Sequence, residues 1–448
     1  MTPEDRKRAE DLAAAEAPAL HTELPGPKAR DVLERDGRTT SPSLPRVYPF
    51  VPARGAGSVV EDVDGNVFLD ANAGIAVTST GHCHPAVVEA IQRQAAELIH
   101  YSASDFYLPI YSEVAERLAE IAPMAGGVRS FLTNSGTEAV EAGIKLARWS
   151  TSRQYVIAFY GSFHGRSYGS VSLTASKAKY RAGFGPLLPG VLHAHYGDGR
   201  DMAVPPRGDE EGFPTIDHIE GVLMEKIVAP EEVAAVVVEP VLGEGGYIVP
   251  PEGWLAALRE LCDRHGILLI TDEVQSGMGR TGKMWAIEHA GVEPDIVISG
   301  KGIASGMPLG AMIAKDSVMT WTAGTHGSTY GGNPLACAAA IATLNVIRDE
   351  ELLENAAKVG DLLRNGLRDI QSRHDEIREV RGLGLMIGVE LTDHDRAATV
   401  ERTAFERGLL ILGCGESAIR MSPALVFRED QARVALELFE EVVAENGA

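Results

Sequence analysis

Four short, almost uninterrupted apolar runs cross the middle of this chain: Tyr155–Phe159, Ala234–Glu239, Ile267–Asp272 and Asp295–Ser299. A strand that is apolar at nearly every position has both faces covered, as in a parallel sheet enclosed by helices. Helical spacing appears at Pro85–Leu98, Pro109–Ile121 and Thr137–Ser150. This alternation, from about 85 to 345, predicts a central α/β domain. At roughly 150 residues per domain, the 448 residues allow two to three domains' worth of core.

The flanks differ. Residues 1 to about 50 are polar and Pro-rich and read as an arm with a short helix. Residues 59–70 read as a β-hairpin turning at Asp64-Gly65. Arg200–Gly212 reads as a surface loop. Beyond 345 come a helix, a strand Gly382–Leu391, a helix Ala397–Arg407 and a closing helix Glu429–Glu445, a second and smaller α/β unit. The expected division is 1–75 for the arm and part of the small domain, 76–344 for the large domain, and 345–448 for the rest of the small domain.

The chain carries 41 Lys+Arg against 63 Asp+Glu, a net charge of −22. Nucleic acid is therefore not an expected partner, because phosphate binding rests on clustered cations, and anionic membranes are disfavoured. No apolar run is long enough to span a bilayer, and the charged N-terminus is followed by no apolar signal core. Cys83, Cys262, Cys337 and Cys414 form no CxxC, which leaves a disulfide framework or structural zinc site without support. A cytoplasmic setting is expected. His82 and His84 flank Cys83 without a third ligand at a recognised spacing, so no metal site is expected. Residues 382–388 have a glycine spacing like that of a dinucleotide loop, but no helix opens after them.

Chemistry concentrates at strand ends. The run through Thr271-Asp272-Glu273 ends in carboxylates, and Ile298-Ser299-Gly300-Lys301-Gly302 ends in a lysine between glycines. In an open α/β sheet both reach the carboxyl rim, where ligands bind. A lysine there suits a Schiff base with an aldehyde, and a nearby aspartate suits a pyridinium nitrogen. Asn134-Ser135-Gly136-Thr137-Glu138 opens a helix with capping-box spacing. Its free N–H groups and the Thr137 hydroxyl make a phosphate site. Phe163-His164-Gly165-Arg166 offers an aromatic to stack on a flat ring and an arginine for a carboxylate. Glu239 and Glu244 lie in a glycine-rich loop, and Arg420 stands among apolar neighbours, where a cation needs a partner.

These motifs occur together with Gly81-His82-Cys83-His84-Pro85 and Ser328-Thr329-Tyr330-Gly331-Gly332-Asn333-Pro334. The set resembles the class III pyridoxal-phosphate-dependent aminotransferases, the 4-aminobutyrate, ornithine and acetylornithine group. The likeness runs from about residue 24 to 440. It implies fold type I, an α/β fold with a large mostly parallel-sheet domain and a smaller α/β domain from the N- and C-terminal segments. It further implies a homodimer, or a dimer of such dimers, with shared active sites.

By this resemblance Lys301 is the Schiff-base lysine and proton shuttle, and Asp272 the pyridinium partner. Ser135, Gly136 and Thr137 form the phosphate cup, and Thr329 serves the other subunit's phosphate. Phe163 stacks on the ring beside His164, Val274 packs on the opposite face, and Gln275 reaches the ring hydroxyl. Arg420 takes the α-carboxylate, Glu244 neutralises it when no carboxylate is present, and Glu239 is the further acid of that loop. Ile75 stands where ornithine-type members carry tyrosine, and Arg166 is kept as in members that hold the distal carboxylate of 4-aminobutyrate. Both lean towards an ω-amino acid donor and a 2-oxo acid acceptor. Residues 278–289 and 412–420 look like an archaeal-type branch that also includes amino-acid racemases, the alternative reading.

Overall fold

The computed structural model describes residues 3–197 and 213–446; the expected loop Arg200–Gly212 lies outside them. Seven strands form the central sheet, in the order Val128–Thr133, Gly310–Lys315, Ile296–Ser299, Leu268–Asp272, Val233–Val238, Tyr155–Phe159 and Val191–Ala194. Only Gly310–Lys315 runs against its neighbours; the other pairings are parallel. Both faces are covered, as the apolar runs require. Val156, Ala158, Val237 and Ile270 enter one core, and Ile157, Phe159, Val236, Val238 and Leu269 enter the other. The alternation follows the two-residue period of a strand.

The helices Pro85–Glu97, Pro109–Ile121 and Gly136–Thr151 appear where the spacing places them. The hairpin pairs Val59–Asp62 with Val67–Asp70, and its far edge takes Leu409–Leu410 in parallel. A third sheet, wholly antiparallel, holds Ile377–Leu383, Met386–Leu391, Ala418–Met421 and Leu412–Cys414. Its core joins Leu69 and Ala71 to side chains between Val346 and Val443.

Two expectations need correction. Gly382–Leu391 is not one strand but the end of one hairpin strand, the turn and the other strand: Leu383 pairs with Met386 across a turn at Gly384-Leu385. Gly384 has φ +51, a conformation glycine adopts without steric cost, so the glycine-rich stretch is the turn itself. The N-terminal arm carries two helices, Pro3–Ala13 and Pro27–Thr39, in place of one. The second opens on a proline, which needs no acceptor at a helix start, and Asp64 at the hairpin turn accepts the N–H groups of Lys28 and Ala29.

Candidate active site

Five parallel strands end on one rim, and each delivers a candidate group within a few residues. Val128–Thr133 leads to Ser135, Gly136 and Thr137; Tyr155–Phe159 to Phe163 and His164; Val233–Val238 to Glu239. Leu268–Asp272 ends in Asp272, and Ile296–Ser299 leads to Lys301.

Asp272 is 4% exposed, and both its oxygens are engaged. Oδ2 lies 2.7 Å from Nδ1 of His164, and Oδ1 accepts the Val274 N–H at 3.1 Å. Burial by itself lowers the His164 pKa; the hydrogen bond and charge of Asp272, with Glu239 behind it, outweigh burial and raise it. Nε2 of His164 is buried and has no partner among the described residues. Glu239 accepts the N–H groups of Phe163 and Gly243, each at 2.8 Å, and burial raises its pKa.

Lys301 makes no hydrogen bond or ion pair with any described residue. Burial, reinforced by the charge of Arg420, lowers its pKa to about 8, while Asp272 and Glu239 pull the other way. Such an amine has a far larger neutral, nucleophilic fraction near physiological pH than an exposed lysine has. Its φ of +43 is left-handed for a residue with a Cβ, a conformation that costs roughly 1 to 2 kcal/mol. The glycine before it permits close approach: a Cβ on Gly300 would sit 3.2 Å from Gly136 Cα and 3.4 Å from Val274 Cγ1. Lys301, Gly136 and Val274 therefore share one small space.

The helix Gly136–Thr151 starts there. Its first N–H groups have no intrahelical acceptor, and the positive end of the helix favours an anion. The capping box is half formed. Ser135 Oγ accepts the Glu138 N–H at 3.4 Å, but the Glu138 carboxylate reaches back to the Asn134 N–H at 2.8 Å. The Thr137 hydroxyl is engaged by Ser167 at 2.7 Å and Ser170 at 2.5 Å, which leaves main-chain N–H groups as the anion donors. Gln275 Oε1 accepts the hydroxyl of buried Tyr247 at 2.9 Å.

Arg420 is 9% exposed and sits at the centre of its strand, opposite Gly388. It makes no hydrogen bond or ion pair with any described residue, and its Nε is buried without a partner. A buried guanidinium in that state is costly unless an anion is supplied from outside. The expected Glu244–Arg420 pair is absent. Glu244 instead accepts the Tyr180 hydroxyl at 2.9 Å and pairs with Lys177 at 3.1 Å, because the 3₁₀ turn at Ala178–Tyr180 brings both groups to it. The Arg166 guanidinium lies over the Tyr180 ring at 4.3 Å, and Tyr180 meets the Phe163 ring edge-on.

Ile75 is not gathered at this rim, and Thr329 is expected at the other subunit's site. Thr329 is exposed, in the loop that Ser104 holds through Ser328. Ile75 is 44% exposed and left-handed, with φ +70. His82 pairs with Asp70 and His84 with Glu350. Among the described residues no three His, Cys, Asp or Glu side chains gather as metal ligands, and no helix is long and apolar enough to cross a membrane.

Sequence reasoning missed Lys177, Tyr180 and Tyr247, none of which lies in a recognisable motif. It gave no role to Glu273, although that residue stands next to Asp272. As a set, the residues fit a flat cofactor with an anionic tail, a basic ring nitrogen and a carbonyl. The tail suits the helix start, the ring nitrogen suits Asp272, and the carbonyl suits unpartnered Lys301.

Comparisons with known proteins agree with this chemistry. Residues 42–443 match the family model "Aminotransferase class-III". An alanine/serine racemase of Pyrococcus horikoshii is 39% identical, covering 97% of this chain and 94% of its own. An acetylornithine aminotransferase of Methanopyrus kandleri is 44% identical over 87% and 93%. A 4-aminobutyrate aminotransferase of Mycobacterium leprae is 38% identical over 95% and 98%. Among solved structures, the ornithine aminotransferase of Toxoplasma gondii superposes with a TM-score of 0.83 at 31% identity, covering 99% and 98% of the two chains. That structure is described with partial occupancy of pyridoxal phosphate at the active site.

Proposed function

This chain belongs to the class-III aminotransferases, and from that premise we propose that it moves the amino group of an ω-amino acid to 2-oxoglutarate, using pyridoxal 5′-phosphate. The donor is 4-aminobutyrate or a related amine such as ornithine or lysine. The observation that carries the reading is Lys301, a half-buried amine without a partner whose pKa is lowered to about 8 beside Asp272 and Arg420.

Pyridoxal phosphate, when bound, supplies an electron sink next to the reacting carbon. The N–H groups of Gly136 and Thr137 would hold its phosphate, Phe163 and Val274 would bracket its ring, and Gln275 would face the ring hydroxyl. Asp272, held by His164, is the acid that would face the ring nitrogen and favour its protonated form. Lys301 Nζ takes the proton from the substrate's reacting carbon and returns it as general acid. Arg420 takes the carboxylate of the 2-oxo acid in a two-pronged grip, and Arg166, braced on Tyr180, takes a distal carboxylate.

The chain is read as a homodimer with shared sites. Tyr101 and Phe106 touch each other, Tyr330 stacks on His100, and Tyr107 stands fully exposed. Aromatic surface of this kind on a soluble chain marks an interaction face. Thr329 lies beside Tyr330.

A racemase is the second reading. The Pyrococcus horikoshii relative motivates it, as does an Arg420 left open for an α-carboxylate. Incubating 4-aminobutyrate, ornithine and lysine with 2-oxoglutarate should yield glutamate. Inversion of pure L- or D-alanine without any 2-oxo acid, together with no glutamate, would replace transfer by racemisation.

A further inference from the structure

We infer that Lys177 and Tyr180 form a clamp that holds Glu244 off Arg420, and so keep Arg420 open for a substrate whose carboxylate lies on the reacting carbon. The inference rests on the proposed role of Arg420 as carboxylate binder and adds to it the groups that control its availability.

Two hydrogen-bonding partners converge on one carboxylate. Lys177 Nζ lies 3.1 Å and the Tyr180 hydroxyl 2.9 Å from Glu244 Oε1. The carboxylate is 14% exposed, so these contacts are only partly screened. The second oxygen, Oε2, is buried with no partner, and so is Nε of Arg420. An acid and a cation, each with an atom unpartnered among the described residues, thus do not pair with each other. Both lie close enough to Tyr180 to act on its hydroxyl electrostatically. Glu244 is also fixed at its main chain, where its carbonyl accepts the Gly415 N–H at 2.7 Å, five residues before Arg420. The main-chain anchor thus ties the Glu244 loop to the Arg420 hairpin. The clamp sets which way the side chain turns.

Tyr180 does two jobs with one side chain. Its hydroxyl donates to Glu244, and its ring face carries the Arg166 guanidinium at 4.3 Å. Lys177 and Tyr180 sit at the start and end of one short turn, Ala178–Tyr180 being its 3₁₀ core. They act through Glu244 and are positioning residues.

The test is a double-mutant cycle read by titration calorimetry with glutarate, a non-reacting dicarboxylate, on purified full-length protein supplied with pyridoxal phosphate. Tyr180→Phe keeps the ring and removes the hydroxyl. Losing a hydrogen bond to a charged group corresponds to about a tenfold change. Tyr180→Phe should therefore weaken glutarate about tenfold, because a freed Glu244 competes for Arg420. Adding Glu244→Gln should restore affinity to within about twofold of the Glu244→Gln single variant. Lys177→Met is the second entry to the cycle and should behave alike.

If Glu244→Gln changes glutarate affinity by the same factor with and without Tyr180, the clamp does not exist. Native protein that takes up no glutarate would also overturn it, since Arg420 would then not be open. Glutamate formation from an ω-amine is measured in parallel. Its absence counts against the proposed function alone, while the glutarate cycle still decides the clamp.

Discussion

Replacing Glu273 by glutamine separates a buried charge from its hydrogen bonds, in the loop that carries Asp272, Val274 and Gln275. Glu273 has no exposed surface. Its carboxyl accepts the Ser276 hydroxyl at 2.5 Å and the N–H groups of Ala286 and Ile287 at 3.0 and 2.8 Å. Burial raises its pKa from 4.5 to about 7 despite these three bonds, and the charge of Asp272 adds to the rise.

A carboxyl whose folded pKa lies above its unfolded value favours folding when protonated. That stability is complete below about pH 4.5 and is lost as pH rises through 7. The gap corresponds to about 3 kcal/mol between the two limits. For 448 residues, at about 2.1 cal/mol/K each, this is about 3 °C in melting temperature. Glutamine has no charge to bury; its oxygen can replace Oε1 as the acceptor of the Ile287 N–H, while its amide, at the Oε2 position, donates to the Ser276 oxygen and leaves the Ala286 N–H unpaired, a pH-independent cost of about 1 to 3 kcal/mol. Thermal melts of both proteins at pH 5 and pH 8 measure the effect. Glu273→Gln should melt a few degrees below the native protein at pH 5 and gain about 3 °C on it between pH 5 and pH 8. A difference that does not change with pH, or a native protein that gains on the variant at pH 8, would refute the reasoning.

Other outcomes follow from the same geometry. Arg420→Met should raise KM for 2-oxoglutarate at least about a hundredfold and stabilise the fold by about 1 to 4 kcal/mol, because a buried unpaired cation is replaced by an apolar chain of similar length; steady-state kinetics and melting check the two halves. The rate at which the cofactor-free protein takes up pyridoxal phosphate should rise with pH about a midpoint near 8, and Arg420→Met should move that midpoint up by removing a cation that disfavours the protonated amine; an unmoved midpoint contradicts this. Gly302→Ala should cost about 1 to 3 kcal/mol, because its Cβ would run into Ser79 Oγ, and Ser79→Gly in the same chain should return most of the loss in a denaturant titration.

Much of this was legible in the sequence, for reasons that are local. Runs such as Ile267–Asp272 declare a doubly covered strand, and the rule that such strands present their carboxyl ends to one crevice brings Asp272 and Lys301 together without coordinates. The same rule delivers Gly136, Phe163 and Glu239 to that rim. The glycines around Lys301 read from sequence as places of close backbone approach, and Gly136, Val274 and Ser79 lie where their Cβ atoms would stand.

What stayed hidden depends on long-range contacts. Lys177 and Tyr180 meet Glu244 across more than sixty residues, from a short turn with no periodicity to announce it. The acid expected on Arg420 was therefore placed with the wrong partner. Nothing in the sequence marks a strand end at Gly382-Leu383, because the hairpin turn carries glycines and apolar residues in place of the polar pairs that usually mark a turn. The role of Glu273 was masked because its acceptor groups serve a short helix more than ten residues later.

The central claim is a covalent imine between pyridoxal phosphate and one particular amine. Borohydride reduction of the loaded protein, digestion and mass mapping of the peptides measure it most directly. The account predicts a single pyridoxyl adduct, on the peptide that holds Lys301, absent from a Lys301→Ala variant treated the same way. An adduct on another lysine, or fully loaded protein with none, would contradict it.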